Sequence, residues 1–322
     1  MSSITSDSLA PREVSGEPDM APTEQFKGKR KPSAQRRRAS RTGALLVTPA
    51  VVFIVAFVLI PLVYAVYISM TNWPLIGSYH FVGLSNYTQL VHDHEFLHSV
   101  TFTLLYTAIV TPAIFIVGYG LATLLRANRF GAKVFRTVFF LPFVVGLTTV
   151  CYMFEIELQP NSGGVDFLLS KLGIVSDSHT WTVNTGSALL AISVIVVWFA
   201  SGLTMLILTG GMQSIPRELY EAADVDGASW LAKERRITFP MLRRSIALSL
   251  IISVIGSFLA FNQFYVLAQN NDGLESVVEW IYQTAFTRFQ VGYATAMSIF
   301  LVLVIAVVSA VQFLILRDDT EL

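Results

Sequence analysis

Apolar positions along this chain are not scattered but gathered into six long runs, at about 44–68, 99–125, 134–154, 186–209, 244–268 and 293–316. Each is near or above the ~20 residues that a helix needs to cross bilayer hydrocarbon. The stretches between them are polar and rich in charge, glycine and proline. This alternation predicts an all-α, polytopic membrane protein with six transmembrane helices. The first run is longer than the ~7–15 apolar residues of a secretory leader, and no small-x-small cleavage site follows it, so it reads as a retained span.

Composition agrees with that pattern. Hydrophobic residues make up 53% of the 322 and charged residues 14%, against about 45–50% and roughly 25% in soluble domains. The formal net charge is zero, so no overall basic excess argues for nucleic acid; the distribution of charge carries the information instead. Residues 1–42 are rich in Ser, Pro, Arg and Lys, predict a disordered tail, and end in Lys27, Lys29, Arg30, Lys31, Arg36, Arg37, Arg38 and Arg41. Further basic residues sit at Arg126, Arg129, Lys133 and Arg136, and at Arg217, Lys233, Arg235, Arg236, Arg243 and Arg244, whereas the other connections hold only Lys171 and Arg288. Because a Lys/Arg excess marks the cytoplasmic side, both termini and the connections after the second and fourth runs are expected in the cytoplasm. Residues 69–98, 155–185 and 269–292 then face outside, and 318–322 form a short cytoplasmic tail.

The runs hold almost no ionisable side chain; the nearest acids, Glu155 and Glu157, stand at the outer end of the third. Ion-coupled carriers and pumps need such groups inside the membrane, so the driving energy is expected to come from a partner. No phosphate-binding glycine loop, paired metal-spaced histidines or catalytic set is present, and the chain reads as a non-enzyme. His92, His94 and His98 lack a supporting ligand set, so no metal is expected. The single cysteine, Cys151, excludes an intramolecular disulfide.

The longest basic connection, 214–240, carries the most specific signal. Ser214 is placed to cap a helix whose first turn takes Pro216 and Glu218; Gly227 permits a sharp turn, and a second amphipathic piece leads to Pro240. Small residues Ala222, Ala223, Gly227 and Ala228 would admit a close partner, with Glu221 and Asp226 as acceptors. An amphipathic loop lying on lipid headgroups fits the same pattern. The run Glu221-Ala222-Ala223, Asp226-Gly227-Ala228 and Ile237-x-x-Pro240 resembles the EAA loop of ABC importer permeases. One departure is Glu234, where that family often carries an aromatic or apolar residue.

The resemblance extends over residues 44–316 to permeases of the maltose, lactose and glycerol-phosphate importer group. It is carried by Phe81-Val82-Gly83-Leu84-Ser85-Asn86-Tyr87, by Phe135-Arg136-Thr137-Val138-Phe139-Phe140-Leu141-Pro142, and by Ile281-Tyr282 with Ala285-Phe286. It implies the type I ABC importer permease fold over 43–317 and ATP-driven import of a sugar, a di- or oligosaccharide, with a polyol or glycerol phosphate as the alternative substrate and no cofactor bound directly. ATP and Mg would be used by two partner ATP-binding subunits, docked through the loop. The other implied partners are a second homologous permease, an extracytoplasmic binding protein and the lipid bilayer. Asn270-Asn271-Asp272-Gly273 replaces the Thr-Gly-Gly-Pro-like turn of many relatives.

A sugar path needs hydrogen-bonding groups and aromatic faces near mid-membrane. In the fifth run Phe258, Phe261, Asn262 and Tyr265 recur at helical spacing and predict one face, with Ser257 and Gln263 beside it; the resemblance places the sugar site around Phe261-Asn262-Gln263-Phe264. Asn262 and Gln263 would serve equally as interhelical hydrogen bonders. Trp198, Ser201 and Met205 share a face of the fourth run, although a tryptophan near a span end also suits an interface anchor. Residues Val165 to Leu172 predict a short amphipathic helix on the outer surface, against the binding protein or as a lid on the bundle.

Overall fold

In the computed structural model the described residues are 45–126, 131–160, 162–174, 180–181, 183–268, 271 and 273–316. The predicted tails 1–42 and 318–322 lie outside them. The chain divides into two units, Met1–Val58 and Leu59–Leu322. In the first unit, residues 45–58 are helical and every side chain is exposed. They belong to the apolar helix Leu45–Ser69 (α1).

Among the described residues of the second unit the regular elements are all helices, apart from one isolated bridge between Thr71 and Phe81. In chain order it holds Ser85–His92 (α2), His94–Leu124 (α3), Ala132–Val145 (α4), Leu147–Glu157 (α5), Gly164–Lys171 (α6) and Thr185–Gln213 (α7). Then come Arg217–Val225 (α8), Trp230–Met241 (α9), Arg243–Phe258 (α10), Asn262–Leu267 (α11), Val277–Phe286 (α12) and Val291–Leu316 (α13).

Among the described residues four helices, α1, α3, α7 and α13, are long and apolar enough to cross a membrane. The third predicted span is not one rod: α4 and α5 meet at 93° at Gly146. Nor is the fifth, since α10 follows α9 at a 73° bend, stops at Phe258 and resumes only at Asn262. With each bent pair counted as one span the helices number six, four unbroken and two broken, among the described residues.

Capping fixes where several helices begin. Asp93 Oδ1 accepts from the amides of Glu95 and Phe96, both at 3.1 Å, and Asn184 Oδ1 from that of Gly186 at 2.9 Å, satisfying donors that the first helical turn leaves unpaired. Helix α3 is the spine. It packs against α7, α10 and α12, while α7 also receives α4.

Three buried clusters hold the bundle. The first joins Tyr106 and Ile114 of α3 to Cys151 of α5, Ile192 and Phe199 of α7, and Phe264 of α11. The second joins Phe96 to Phe258, Trp280, Tyr293 and Met297, and the third joins Ala122 to Met205, Leu208, Leu242 and Ile246. Outside these clusters the long helices expose leucine, valine and phenylalanine almost continuously. Water would not tolerate such a surface, whereas lipid tails solvate it.

Candidate coupling loop and substrate path

The connection 214–240 folds as a helical hairpin. Helix α8 starts after Pro216 and buries none of its residues. Ser214 does not cap it: its hydroxyl turns back to the carbonyl of Gly211 at 2.7 Å, and the N-cap position falls to Pro216, which has no side-chain acceptor. The second arm is capped as the first was expected to be, with Ser229 Oγ accepting from the amide of Ala232 at 3.3 Å. Between the arms Gly227 adopts φ +70°, a left-handed conformation that glycine enters without steric cost.

Glu221, Ala222, Asp226, Gly227 and Pro240 are exposed, and Ala223 and Ala228 are half-buried. Around the turn Val225, Trp230 and Leu231 are also exposed, at 89%, 64% and 67%. Large apolar groups concentrated on a surface hairpin await a cover.

The path residues do not share one face, because the helix they were expected to share is interrupted. Phe258 is buried in the second cluster. Ser257, also buried, lines a cavity of about 140 Å³ together with Tyr106, Thr204, Ser249 and Ser253. Gln263 is buried too; its Nε2 donates to the Tyr106 hydroxyl at 3.3 Å, and its Oε1 has no partner among the described residues. Phe261 and Asn262 are half-buried beyond the break. There Phe261 stacks on Tyr265 at 5.0 Å and meets Tyr282 at 5.2 Å, and Tyr282 in turn meets Phe286 at 4.9 Å. Trp198 is 40% exposed and edge-on to Phe154, while Ser201 is buried and donates to the Trp198 carbonyl at 3.2 Å. Asn262 thus stands next to an aromatic row that the linear pattern captured only in part; Tyr282 and Phe286 come from α12.

Residues 95–318 match the binding-protein-dependent transport system inner membrane component family. The chain belongs to this family. It is the multi-pass transmembrane permease component of an ABC importer in the inner membrane, and not itself the ATPase. It is 30% identical to the probable ABC transporter permease protein YurN of Bacillus subtilis strain 168, over 86% of this chain and 96% of that one. It is 32% identical to the arabinooligosaccharides transport system permease protein AraP of the same organism, over 83% and 86%. A crystal structure of a bacterial ABC transporter involved in the import of the acidic polysaccharide alginate contains a chain of the same fold. It superposes with a TM-score of 0.77 at 21% identity, over 89% of this permease and 98% of that chain.

Helix α6 forms where the short amphipathic helix was expected, one residue longer at its start and one shorter at its end. Its buried Asp166 accepts from Trp181 Nε1 at 2.9 Å, and the amide of Val165 donates to Glu157 at 3.2 Å. Asn271 bonds the carbonyl of Val183 at 3.2 Å and the Thr185 hydroxyl at 3.1 Å; Asn270 and Asp272 lie outside the described residues.

Helix α12 holds a titrating group that the sequence did not single out. Burial, with a smaller contribution from the nearby Glu275 carboxylate, pushes Glu279 up to about 7. A carboxyl raised in the folded state contributes stability that is complete below the unfolded carboxylate range and is lost as pH rises through 7. Glu279→Gln should therefore leave the thermal midpoint unchanged at pH 5 and raise it by about 2–4 °C at pH 8.5. Equal midpoints for variant and parent at pH 8.5 would contradict the assignment.

Proposed function

We propose that this permease passes a carbohydrate, of oligosaccharide class, handed over by an extracytoplasmic binding protein. In this reading it pairs with a second homologous permease, keeps both termini in the cytoplasm, and seats its 214–240 hairpin on one of two ATP-binding subunits. The observation that carries the reading is the hairpin itself. Glu221, Ala222, Asp226 and Gly227 of its EAA pattern, together with Val225, Trp230 and Leu231, stand exposed around a glycine turn on a connection flanked by basic residues. Closure of the ATPases on ATP would draw the hairpins together and turn the bundle outward.

The sugar class is supported by the likeness to the arabinooligosaccharides transport system permease protein and by the chemistry around Asn262. A broken helix near mid-membrane frees backbone groups for a ligand. Here the break falls beside an amide and a row of aromatic rings, the pairing that hydroxyls and the apolar faces of sugar rings require. The 140 Å³ cavity is below the ~300 Å³ of ordinary ligand pockets. The path therefore has to open further for a sugar to pass.

Asn262→Ala should assemble normally and lower uptake of the sugar carried by the cognate binding protein about tenfold at sub-saturating concentration. This is the loss expected for one hydrogen bond of ~1–1.5 kcal/mol. Unchanged uptake by the assembled variant removes Asn262 from the path.

A further inference from the structure

The hairpin presents a mechanical difficulty. Helix α8 buries nothing, and beneath it, among Thr209, Met212, Glu221 and Trp230, lies an open cavity of about 860 Å³. Ile215 belongs to the third cluster and Tyr220 and Ile237 pack against it, but with this opening beside them packing alone is a loose link for a displacement. A directional link is supplied by a small polar cluster centred on Glu234, the residue at which this chain departs from the apolar pattern of the loops it resembles.

Glu234 is 5% exposed. It accepts a hydrogen bond from the Tyr119 hydroxyl and faces Arg126 Nη1 at 3.6 Å. Tyr119 stands in the last turns of α3 and Arg126 two residues beyond its end. The guanidinium of Arg126 also lies 4.1 Å above the ring of Tyr220 on α8, and the Tyr220 hydroxyl meets the buried Thr238 Oγ1 at 2.9 Å. The second arm is thus held to Tyr119 and Arg126 through Glu234, and the first arm to Arg126 through Tyr220.

An apolar residue at 234 could fill the space, but it would set neither the direction nor the distance of either arm. A buried carboxylate admits only arrangements in which both oxygens keep their partners, because leaving it unpaired is strongly unfavourable. We infer that Glu234 is a positioning residue: with Tyr119 and Arg126 it latches the hairpin to α3, so that movement of the hairpin is delivered to the spine rather than lost in the void. The inference rests on the reading of the hairpin as the ATPase dock.

The test uses the whole complex in nanodiscs, and measures Mg-ATP hydrolysis with and without the cognate binding protein purified with its bound solute. Glu234→Gln and Tyr119→Phe should each retain the ATPase subunits in full. Stimulation by the binding protein should fall at least fivefold in each, and the double variant should be no worse than either single one, because the two residues act through one contact. Tyr119→Phe removes a single hydroxyl, which keeps the test open should the Glu234 variant fail to fold. Normal stimulation in Tyr119→Phe, or additive losses in the double variant, would overturn the latch while leaving the dock in place. Failure of the parent complex to retain ATPase subunits would overturn the dock and the latch together.

Discussion

Gly202→Ala is expected to prevent recovery of a folded permease, or to lower its thermal midpoint by more than any surface substitution. A Cβ at this position of α7 would stand 2.1 Å from the carbonyl oxygen of Phe139 and 3.0 Å from the Cα of Phe140, both backbone atoms of α4. No side-chain rotation relieves such a contact, so the two helices have to separate. Within lipid there is no water to drive apolar surfaces together, and helix association depends on close approach at small residues. Overpacking a core costs about 1–3 kcal/mol when side chains can yield, and here the obstacle is main chain. Gly210→Ala is the control, because a Cβ there meets nothing within 4 Å on the same helix. Size-exclusion recovery and thermal midpoint in detergent decide the matter: similar behaviour of the two variants would mean that α4 and α7 do not approach as described.

The alternation of apolar and polar runs was enough to place the membrane helices, because hydrocarbon thickness dictates their length and nothing else in the chain imitates that signal. The interruption of the fifth run left no such trace. Leu259, Ala260 and Phe261 contain neither glycine nor proline, and the helical period passes through them undisturbed. The break instead reflects competition between cores: Phe258 is buried with Phe96 and Trp280, while Ala260 and Phe264 are buried with Tyr106 and Ile192. Residues two and six apart are thereby drawn into different clusters, and one continuous helix does not serve both. This is also why Phe258, Asn262 and Gln263 part company although their spacing predicted a shared face. The EAA-pattern hairpin was legible because its turn and small residues are local features, whereas the partners of Glu234 stand more than a hundred positions earlier in the chain, at Tyr119 and Arg126. The resemblance marked Glu234 as a departure; only the fold supplies the hydroxyl and the guanidinium that account for it.

Substituting valine for Gly227 should remove ATPase docking and solute uptake together while leaving the membrane bundle intact. At φ +70° a β-branched residue is held in a conformation that costs about 1–3 kcal/mol. Helix α8 is too short, at nine residues, to stay helical on its own propensity, so strain at its end shifts the turn rather than being absorbed. A Cβ at Gly227 meets nothing within 4 Å, so the substitution does not disturb the bundle, and the thermal midpoint of the isolated permease should stay within about 1 °C of the parent. The added bulk projects instead from the surface proposed for the ATPase subunit. Gly227→Asn separates the two effects, because asparagine tolerates the left-handed conformation and should retain much of the docking. Co-purification of ATPase subunits with each variant is the deciding measurement. Full retention by the valine variant, with uptake unimpaired, would mean that the hairpin turn is not where this permease receives its drive.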